Sequence, residues 1–344
     1  MASVRPCRYS HSMSLPRQLE AARSPDPGPT LLGGGSADAF GELVDPYRRE
    51  LLVHCYRMLG SIDDAEDAVQ DALARAWHGR NTFQRAISFR AWLYRIATNA
   101  CLDAVERRKR SREIEESLGV VPIPEDLLDE TEPGPEARYD AHESISLAFL
   151  TALQVLPARQ RAVLILRDVL SWRASEVAEL LDLTVPAVNS ALHRARATVV
   201  GQYSSPNAAA RRWSAGEPGK LRSLVDRYVR AWESADVAGL VALLRDDAVV
   251  SMPPGLSVMG SREIGEFVAR SVFADGLRIR LVPVGANAGP TFVLYSGPEA
   301  DASLRAYAVL VVDFDLDGST ISRISVFSDQ RVIARFGLAE ELAG

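Results

Sequence analysis

The sequence predicts a multidomain protein in which two all-α domains precede an α+β domain. Apolar residues recur at helical spacing over residues 40–112 and again over 142–200. Between and after these segments lie stretches with several prolines and acids or glycines, which is typical of linkers. In the last third of the chain, helical faces give way to short strand-like runs, and this order is expected of an α+β domain.

The predicted boundaries follow from these changes in composition. They are a tail over 1–38, a first helical domain over 39–112, an acidic linker over 113–140, a second helical domain over 141–203, a further linker over 204–219 and an α+β domain over 220–338. The tail carries Pro16, Pro25 and three consecutive glycines from Gly33, with little periodicity. It is interpreted as disordered, or as upstream sequence translated from a wrongly chosen start.

Composition excludes several classes of protein. The formal net charge of −6 argues against a protein that coats nucleic acid by charge alone, so DNA binding would need local basic patches or a partner. The three cysteines lack CxxC spacing and the five histidines do not cluster, which predicts neither a disulfide framework nor a metal site. No run approaches the ~20 apolar residues of a membrane span. The N-terminus also lacks the apolar stretch of a signal peptide, so we expect a cytoplasmic protein without a cofactor.

The first candidate interface is the acidic segment SIDDAEDAVQDALARAW, which begins at Ser61. Gly60 breaks the preceding helical pattern, and Ser61 is predicted to cap the next helix with Asp64 as its acidic third residue. The acidic side chains on one side of this helix are Asp63, Asp64, Glu66, Asp67 and Asp71. Two interpretations stay open, namely a solvated acidic face and a docking surface for a basic partner.

The second candidate interface is the helix FRAWLYRIATNACLDAVERRKR, which begins at Phe89. At about 100° per residue, its inward stripe is separate from a face that bears Trp92, Arg95, Asn99, Asp103 and Glu106. We expect an outward Trp92 that stacks on unpaired bases, a polar loop over 82–88 that cups a flipped base, and a cationic run that contacts phosphates. The alternative is a helix with a buried Trp92 and a solvated basic end.

The third candidate interface is a helix-turn-helix within residues 156–199. A short helix from Arg173 to Asp182 is followed by a turn at Leu183 and by Thr184, which is predicted to cap the second helix. Val188, Leu192 and Ala195 should pack inward. The exposed polar and basic positions of the second helix are typical of a recognition helix in the major groove. A small helical hairpin without DNA binding would show a similar pattern.

The α+β domain is predicted from its own series of elements. Leu224, Tyr228 and Trp232 lie on one helix face. Further short helices are predicted over 237–245 and 261–273, and strands are predicted over 277–284, 291–295, 304–314 and 320–327. Asp315-Leu316-Asp317-Gly318 is a hairpin signal between the last two strands. We expect helices packed on a multi-stranded antiparallel sheet.

The order of these motifs resembles the extracytoplasmic-function group of bacterial sigma-70 factors over residues 40–203. The resemblance implies promoter DNA and core RNA polymerase as partners, the latter through the clamp helices of its largest subunit and its flap region. It identifies 39–112 as sigma region 2 and 141–203 as sigma region 4. The implied polymerase-binding residues are Asp63, Asp64, Glu66, Asp67, Gln70 and Asp71. The implied −10 element residues are Phe83, Arg85, Phe89, Trp92, Arg95, Asn99, Asp103, Arg107, Arg108, Lys109 and Arg110. The implied −35 element residues are Arg173, Thr184, Pro186, Asn189, Ser190, His193, Arg194 and Arg196.

One position departs from the family pattern. Asn189 stands where relatives often carry a basic residue, so the −35 sequence preference cannot be carried over.

The C-terminal region resembles the SnoaL-like branch of the NTF2-like cone fold. This tandem is known from a sigma subgroup that includes the sigma-G and sigma-J types, and the sigma-G type is the nearer expectation. The fold can enclose an apolar pocket that could bind a small ligand, and the candidate pocket residues are Tyr228, Trp232, Asp247 and Met252. The domain contains no histidine, and we expect no catalytic residues, because a fold alone does not establish an activity.

Three hypotheses of function follow. The leading hypothesis is a sigma factor that directs promoter-specific initiation, with activity modulated by its C-terminal domain. The second is a stand-alone helix-turn-helix regulator with a ligand-binding C-terminal domain, which leaves the acidic helix without a purpose. The third is a cyclase or isomerase with a DNA-binding appendage. Tight duplex binding without polymerase would favour the second hypothesis.

Overall fold

The computed structural model describes residues 36–83, 88–110, 120–124, 127, 147–203, 218–253, 255–273, 276–287, 289–298, 303–315 and 319–343. Within these residues the predicted fold class is confirmed, because two helical domains precede an α+β domain. Residues 1–35 of the predicted tail (1–38), residues 204–217 and the greater part of the acidic linker lie outside the described residues. The predicted boundary at residue 38 is wrong by two residues, because the first helix already begins at Ala37.

The first helical domain consists of α1 (Ala37–Leu59), α2 (Ile62–Gly79) and α3 (Phe89–Arg110). Gly60 ends α1 in the left-handed region with φ of 77°, a conformation that costs glycine little. The Ser61 hydroxyl then accepts a hydrogen bond from the Asp64 backbone N–H at 3.4 Å, so the predicted cap of α2 is confirmed.

The second helical domain consists of α4 (Leu147–Gln154), α5 (Ala158–Leu164), a π-helical turn (Ile165–Val169), α6 (Ala174–Leu180) and α7 (Val185–Tyr203). The Thr184 hydroxyl accepts a hydrogen bond from the Ala187 N–H at 3.3 Å, which confirms the predicted cap of α7. Val188, Leu192 and Ala195 are buried as predicted, so α6 and α7 form the expected helix-turn-helix.

The α+β domain begins with two helices and continues into a seven-stranded sheet. Its elements are α8 (Pro218–Glu233), α9 (Val237–Val241), β1 (Leu244–Met252), β2 (Leu256–Met259), α10 (Ser261–Ser271), β3 (Leu277–Ala286), β4 (Gly289–Pro298), β5 (Ser303–Phe314), β6 (Ile321–Phe327), α11 (Gln330–Ala334) and β7 (Glu341–Ala343). The strand order is β2-β1-β6-β5-β4-β3, and β7 pairs with β5.

The four predicted strands are confirmed as β3 to β6, and two other predictions for this domain are wrong. The helix predicted over 237–245 ends at Val241, and the chain turns into the unpredicted strand β1 at Leu244. The sheet is also not fully antiparallel, because β1 pairs with β6 in parallel. A parallel pair needs a long crossover, which α10 and β3 to β5 supply between these strands.

The sheet separates two hydrophobic clusters. Phe292, Leu294 and Leu310 face the helices α8 to α10 and form the core of the α+β domain. The alternate residues Val293 and Val311 belong to the cluster formed with the helical domains. Successive side chains of a strand point to opposite faces, so one face of the sheet packs in each cluster.

Residues 120–124 join the domains through a network of buried hydrogen bonds. The Asn287 side chain accepts a hydrogen bond from the Ile123 N–H at 2.6 Å and donates to the Tyr56 hydroxyl at 3.2 Å. The Tyr56 hydroxyl in turn donates to the Val121 carbonyl at 2.5 Å, and burial raises the pKa of Tyr56. Asn287 has a φ of 45°, a left-handed conformation that asparagine tolerates better than most residues. We name these contacts the Asn287 junction.

Asn287→Gly should lower the free energy of unfolding by about 1–3 kcal/mol, because it leaves the buried Ile123 N–H without its acceptor. Glycine adopts the left-handed backbone conformation readily, so the loss of stability can be attributed to the missing side-chain amide. Denaturant unfolding measures the change. Tyr56→Phe should destabilise less, and its effect should not add fully to that of Asn287→Gly, since both act on one network. Equal stability of Asn287→Gly and the native chain would refute this role.

Candidate nucleic-acid and protein interfaces

The acidic residues of α2 lie on a side of the helix that is distinct from its buried apolar side. Its members are Asp63, Asp64, Glu66, Asp67, Gln70 and Asp71, all of them exposed or half-buried, whereas the apolar residues Ala65, Ala68, Val69 and Ala72 are buried. Asp64 is paired with Arg108 of α3, and Asp71 pairs with Arg75 at 2.7 Å. Asp67 and Gln70 are exposed. The helix therefore carries the amphipathic pattern that the sequence predicted.

Arg335, which follows α11 in the α+β domain, covers part of this acidic face. Its guanidinium donates to both Glu66 carboxylate oxygens, at 2.9 and 3.0 Å, and also to Asp63. The Arg335 side chain is only 23% exposed. The hydrogen bonds to Glu66 in particular raise the pKa of Arg335. Sequence reasoning missed this contact, because nothing in the residues around Arg335 distinguishes it from other exposed arginines of the domain.

The prediction of an outward-facing Trp92 is wrong. Trp92 is 8% exposed, and its ring packs against Phe83 and Phe89 with centroid distances of 5.4 and 5.7 Å. Phe89 lies one turn before Trp92 on α3, and Phe83 packs edge-on against both rings, so contacts among the three rings bury all of them. Phe83 and Phe89 are also buried. The alternative interpretation of this helix, a buried tryptophan, is the one that the structure shows.

The remaining −10 candidates on α3 lie at its surface. Arg95 donates to both carboxylate oxygens of Asp182, at 3.0 and 3.2 Å, and Asp103 accepts from Arg75 at 2.7 Å. Asn99 is exposed. The exposed cations near the end of α3 are Arg107, Arg108 and Lys109. Arg85 and the side chain of Arg110 lie outside the described residues.

The helix-turn-helix domain packs against α1 and α3. Trp172 lies against the Tyr94 ring at a centroid distance of 5.2 Å. Arg161 is buried and donates to the Met58 carbonyl at the end of α1, as well as to the Leu153 and Leu156 carbonyls of its own domain. Burial lowers the pKa of Arg161 to about 10. Together with Arg95 and Asp182, these contacts hold the second helical domain on the first.

The −35 candidates share the exposed side of the helix-turn-helix. All eight predicted residues are exposed, namely Arg173, Thr184, Pro186, Asn189, Ser190, His193, Arg194 and Arg196. On α7 most of them follow each other at spacings of three or four residues, so they form one strip. Arg196 is paired with Asp168 of its own domain at 2.6 Å. Arg194 has no ion-pair partner among the described residues.

The four pocket candidates do not meet in one place. Tyr228 and Trp232 lie in the core of the α+β domain, where Tyr228 contacts Phe292 and Trp232 contacts Phe273. Met252, half-buried, has the strand parity of the core residues of β1. Asp247 has the opposite parity, and Arg245 donates to it at 3.2 Å. Asp247 is not among the residues of the core cluster, so it does not join Tyr228 and Trp232 there.

Two buried polar atoms in this core are poorly satisfied. The Tyr228 hydroxyl and the Trp232 indole N–H find no hydrogen-bond partner beyond each other among the described residues. Burial raises the pKa of Tyr228, and the neighbouring Trp232 N–H opposes that rise. Buried polar groups in native proteins are almost always paired with protein, water or a ligand. A molecule bound in this core could therefore form hydrogen bonds with the Tyr228 hydroxyl and the Trp232 N–H.

Among the residues that the structure describes, no group of three or more His, Cys, Asp or Glu side chains comes together as a metal site requires. None of the helices in this part of the chain is both long and apolar enough to span a bilayer.

Comparison with known proteins places both helical domains in one class. Residues 43–111 match the family Sigma-70 region 2, and residues 146–199 match the family Sigma-70, region 4. The order of these two regions defines a transcription initiation factor of the sigma-70 class. An ECF RNA polymerase sigma factor, SigG of Mycobacterium tuberculosis, is 37% identical over 324 residues, which cover 88% of this chain and 85% of SigG. The chain therefore belongs to the family of ECF RNA polymerase sigma factors.

Other relatives agree with this family. The ECF sigma factor SigW of Bacillus subtilis is 32% identical over 168 residues, which cover 47% of this chain and 87% of SigW. The crystal structure of SigJ, an ECF sigma factor of Mycobacterium tuberculosis, matches 87% of this chain and 100% of its own with a TM-score of 0.58 at 20% identity. The SigJ match shows a shared fold, which includes the C-terminal α+β domain.

Family membership establishes the general function. As a sigma factor, the chain binds core RNA polymerase and promoter DNA and directs transcription initiation. It is a regulator of transcription. The stand-alone regulator of the second hypothesis would leave the region 2 match unexplained.

Trp92→Ala should lower the free energy of unfolding by about 3–5 kcal/mol, because it opens a cavity between Phe83 and Phe89. Urea unfolding followed by circular dichroism measures the loss. Asn99→Ala on the exposed side of the same helix is the control, and it should stay within about 0.5 kcal/mol of the native chain. A Trp92→Ala variant as stable as Asn99→Ala would show that the buried ring contributes nothing to the fold.

Proposed function

We propose that this sigma factor is held in a closed arrangement by its own C-terminal domain and by region 4, and that core polymerase must displace both. In this proposal the acidic face of α2 binds the clamp helices of the polymerase largest subunit. The surface of α3 and the loop before it open and read the −10 element, and α7 reads the −35 element, while region 4 also contacts the flap. The domain boundaries follow the predicted ones, except that α1 begins at Ala37, α8 begins at Pro218 and the α+β domain extends to β7. The protein acts in the cytoplasm beside polymerase.

The observation that carries this proposal is the contact of Arg335 with Asp63 and Glu66. Two carboxylates of the proposed polymerase-binding face are already neutralised by a cation of the C-terminal domain. A basic polymerase surface would need the same carboxylates, and two partners cannot occupy them at once. The C-terminal domain therefore competes with polymerase in the closed arrangement. Asp67 and Gln70 stay exposed and offer a first point of contact.

Region 4 supplies the second restraint. Asp182 in the turn of the helix-turn-helix pairs with Arg95, a proposed −10 contact, and Trp172 packs on Tyr94 of the same helix. While these contacts persist, region 4 lies over part of the surface that must meet the −10 DNA. Two promoter elements can be contacted together only after α3 and α7 move apart. In this proposal Arg95, Asn99 and the preceding loop make the base contacts, and the buried Trp92 supports the helix that carries Arg95 and Asn99.

A small ligand in the C-terminal domain is the second function that we propose. The buried Tyr228 hydroxyl and Trp232 N–H would bind a hydrogen-bond acceptor of the ligand, and Met252 lies at the end of the same face. No catalysis is proposed, since Asp247 is paired with Arg245 and is not among the residues of the core cluster. Ligand binding would alter the sheet that also carries the contact with the helical domains.

Run-off transcription with cognate core polymerase tests the central proposal. The full chain should initiate weakly from a promoter selected by the holoenzyme, and a chain that ends after Tyr203 should initiate more strongly or at lower sigma concentration. Equal output of both chains would refute restraint by the C-terminal domain. No initiation by either chain would refute the assigned DNA and polymerase surfaces.

Arg335→Glu should increase the apparent affinity for core polymerase about fivefold or more, because it replaces the internal ion pair with repulsion from Asp63 and Glu66. Arg331→Glu is the matched control, since Arg331 lies on α11 and pairs with Asp329 of its own domain at 2.7 Å. Titration of labelled core polymerase measures both affinities. If the two variants bind polymerase equally well, Arg335 does not compete for the acidic face.

Arg194→Ala should weaken binding to all promoter sequences and lower the slope of log affinity against log salt by about one, since it removes one phosphate contact. Arg196→Ala should change the slope less, because Arg196 already pairs with Asp168 inside region 4. Holoenzyme binding to promoter DNA across a salt series measures both slopes. An unchanged slope in Arg194→Ala would remove this residue from the DNA interface.

A further inference from the structure

The N-terminal tip of α7 presents an apolar surface to solvent. Val185, the first residue of the helix, is 40% exposed. Pro186 beside it is exposed, and the next residue, Ala187, is half-buried. The Thr184 hydroxyl is engaged in capping the helix through the Ala187 N–H at 3.3 Å. The side chains of the tip are therefore apolar except for the Thr184 hydroxyl, whose oxygen accepts the capping hydrogen bond.

This tip is the part of a recognition helix that meets base edges. In helix-turn-helix proteins the N-terminal residues of the second helix contact bases in the major groove. Most groups on the base edges there are hydrogen-bond donors or acceptors, and the C5 methyl of thymine is the apolar exception. A valine and a proline cannot satisfy a donor or an acceptor, so burying such a group under them would cost free energy. They can bury a methyl group.

We propose that Val185 reads a thymine methyl group in the −35 element, with Pro186 completing the apolar surface around it. This inference rests on the proposed function of α7 and adds the base that its tip selects. Asn189 lies four residues further along the same side of the helix and offers an amide suited to an adenine edge. Four residues advance a helix by about 6 Å, so the thymine should lie within about two base pairs of the base that Asn189 contacts.

The position of Val185 separates it from other exposed apolar residues of the chain. Val155 is 53% exposed in the same domain, but it lies in the turn between α4 and α5, away from the recognition helix. It therefore provides a matched control of the same residue type. Both valines are exposed enough that substitution by alanine should leave the fold of region 4 intact.

The test removes one methyl group from the DNA and one side chain from the protein. A promoter is selected by the full-length holoenzyme from a library randomised over the −35 element. Each thymine of that element, on both strands, is then replaced in turn by deoxyuridine, which differs from thymine only by the missing methyl. Binding of each DNA is measured with the native chain, Val185→Ala and Val155→Ala.

The native holoenzyme should lose roughly three- to fivefold in affinity at one thymine when its methyl is removed, the size expected for one buried methyl. Val155→Ala should show the same loss, and Val185→Ala should bind both DNAs alike. The proposal is overturned if no thymine shows the loss, or if the loss persists in Val185→Ala. A library from which no −35 preference emerges would instead overturn the role of α7 in promoter reading.

Discussion

The carboxylates of α2 are the constraint on which the closed arrangement depends. Arg335 reaches Asp63 and Glu66 from a domain more than two hundred residues away, and it makes paired hydrogen bonds to Glu66. An exposed ion pair contributes little to stability, commonly about 0–1 kcal/mol, although paired geometry and partial burial increase that value. The contact thus has a defined geometry but contributes little free energy. A restraint with these properties can hold a free sigma factor closed and still give way to a partner that contacts a larger surface.

The sheet of the C-terminal domain connects its core to the helical domains. On β4, Phe292 contacts Tyr228 inside the core, whereas Val293 packs with the helical domains on the other side. The hairpin between β3 and β4 ends at the Asn287 junction, which binds residues 120–124. A molecule that moved Tyr228 would press on Phe292, and a rigid strand would pass that shift to the junction. The path consists of packed side chains and one strand, and it would connect the proposed ligand at Tyr228 to the junction with the helical domains.

Local signals predicted local structure, and they could not predict contacts between domains. The caps at Ser61 and Thr184, the helix-turn-helix and strands β3 to β6 follow from residue type and periodicity over a few positions. The burial of Trp92 depends on Phe83, nine residues earlier, and helical phase alone could not place that ring. β1 was missed because its identity comes from pairing with β6. Arg335 with Glu66, and Arg95 with Asp182, join residues far apart in sequence, for which no repeat or spacing exists.

In the closed arrangement, charged side chains that would bind DNA or polymerase in the open protein form ion pairs with each other. Arg95, a proposed −10 contact, pairs with Asp182 of region 4, and the acidic face of α2 pairs with Arg335 of the C-terminal domain. Opening the protein on polymerase and promoter would exchange these ion pairs for pairs of the same kind with phosphates and basic side chains. Such an exchange avoids the large cost of leaving a desolvated charge unpaired. The net charge of −6 then opposes DNA binding by the free chain, and in the proposed function polymerase would supply the cations that replace Arg335. Charge pairing of this kind makes promoter binding conditional on the partner without requiring a strained or unstable free state.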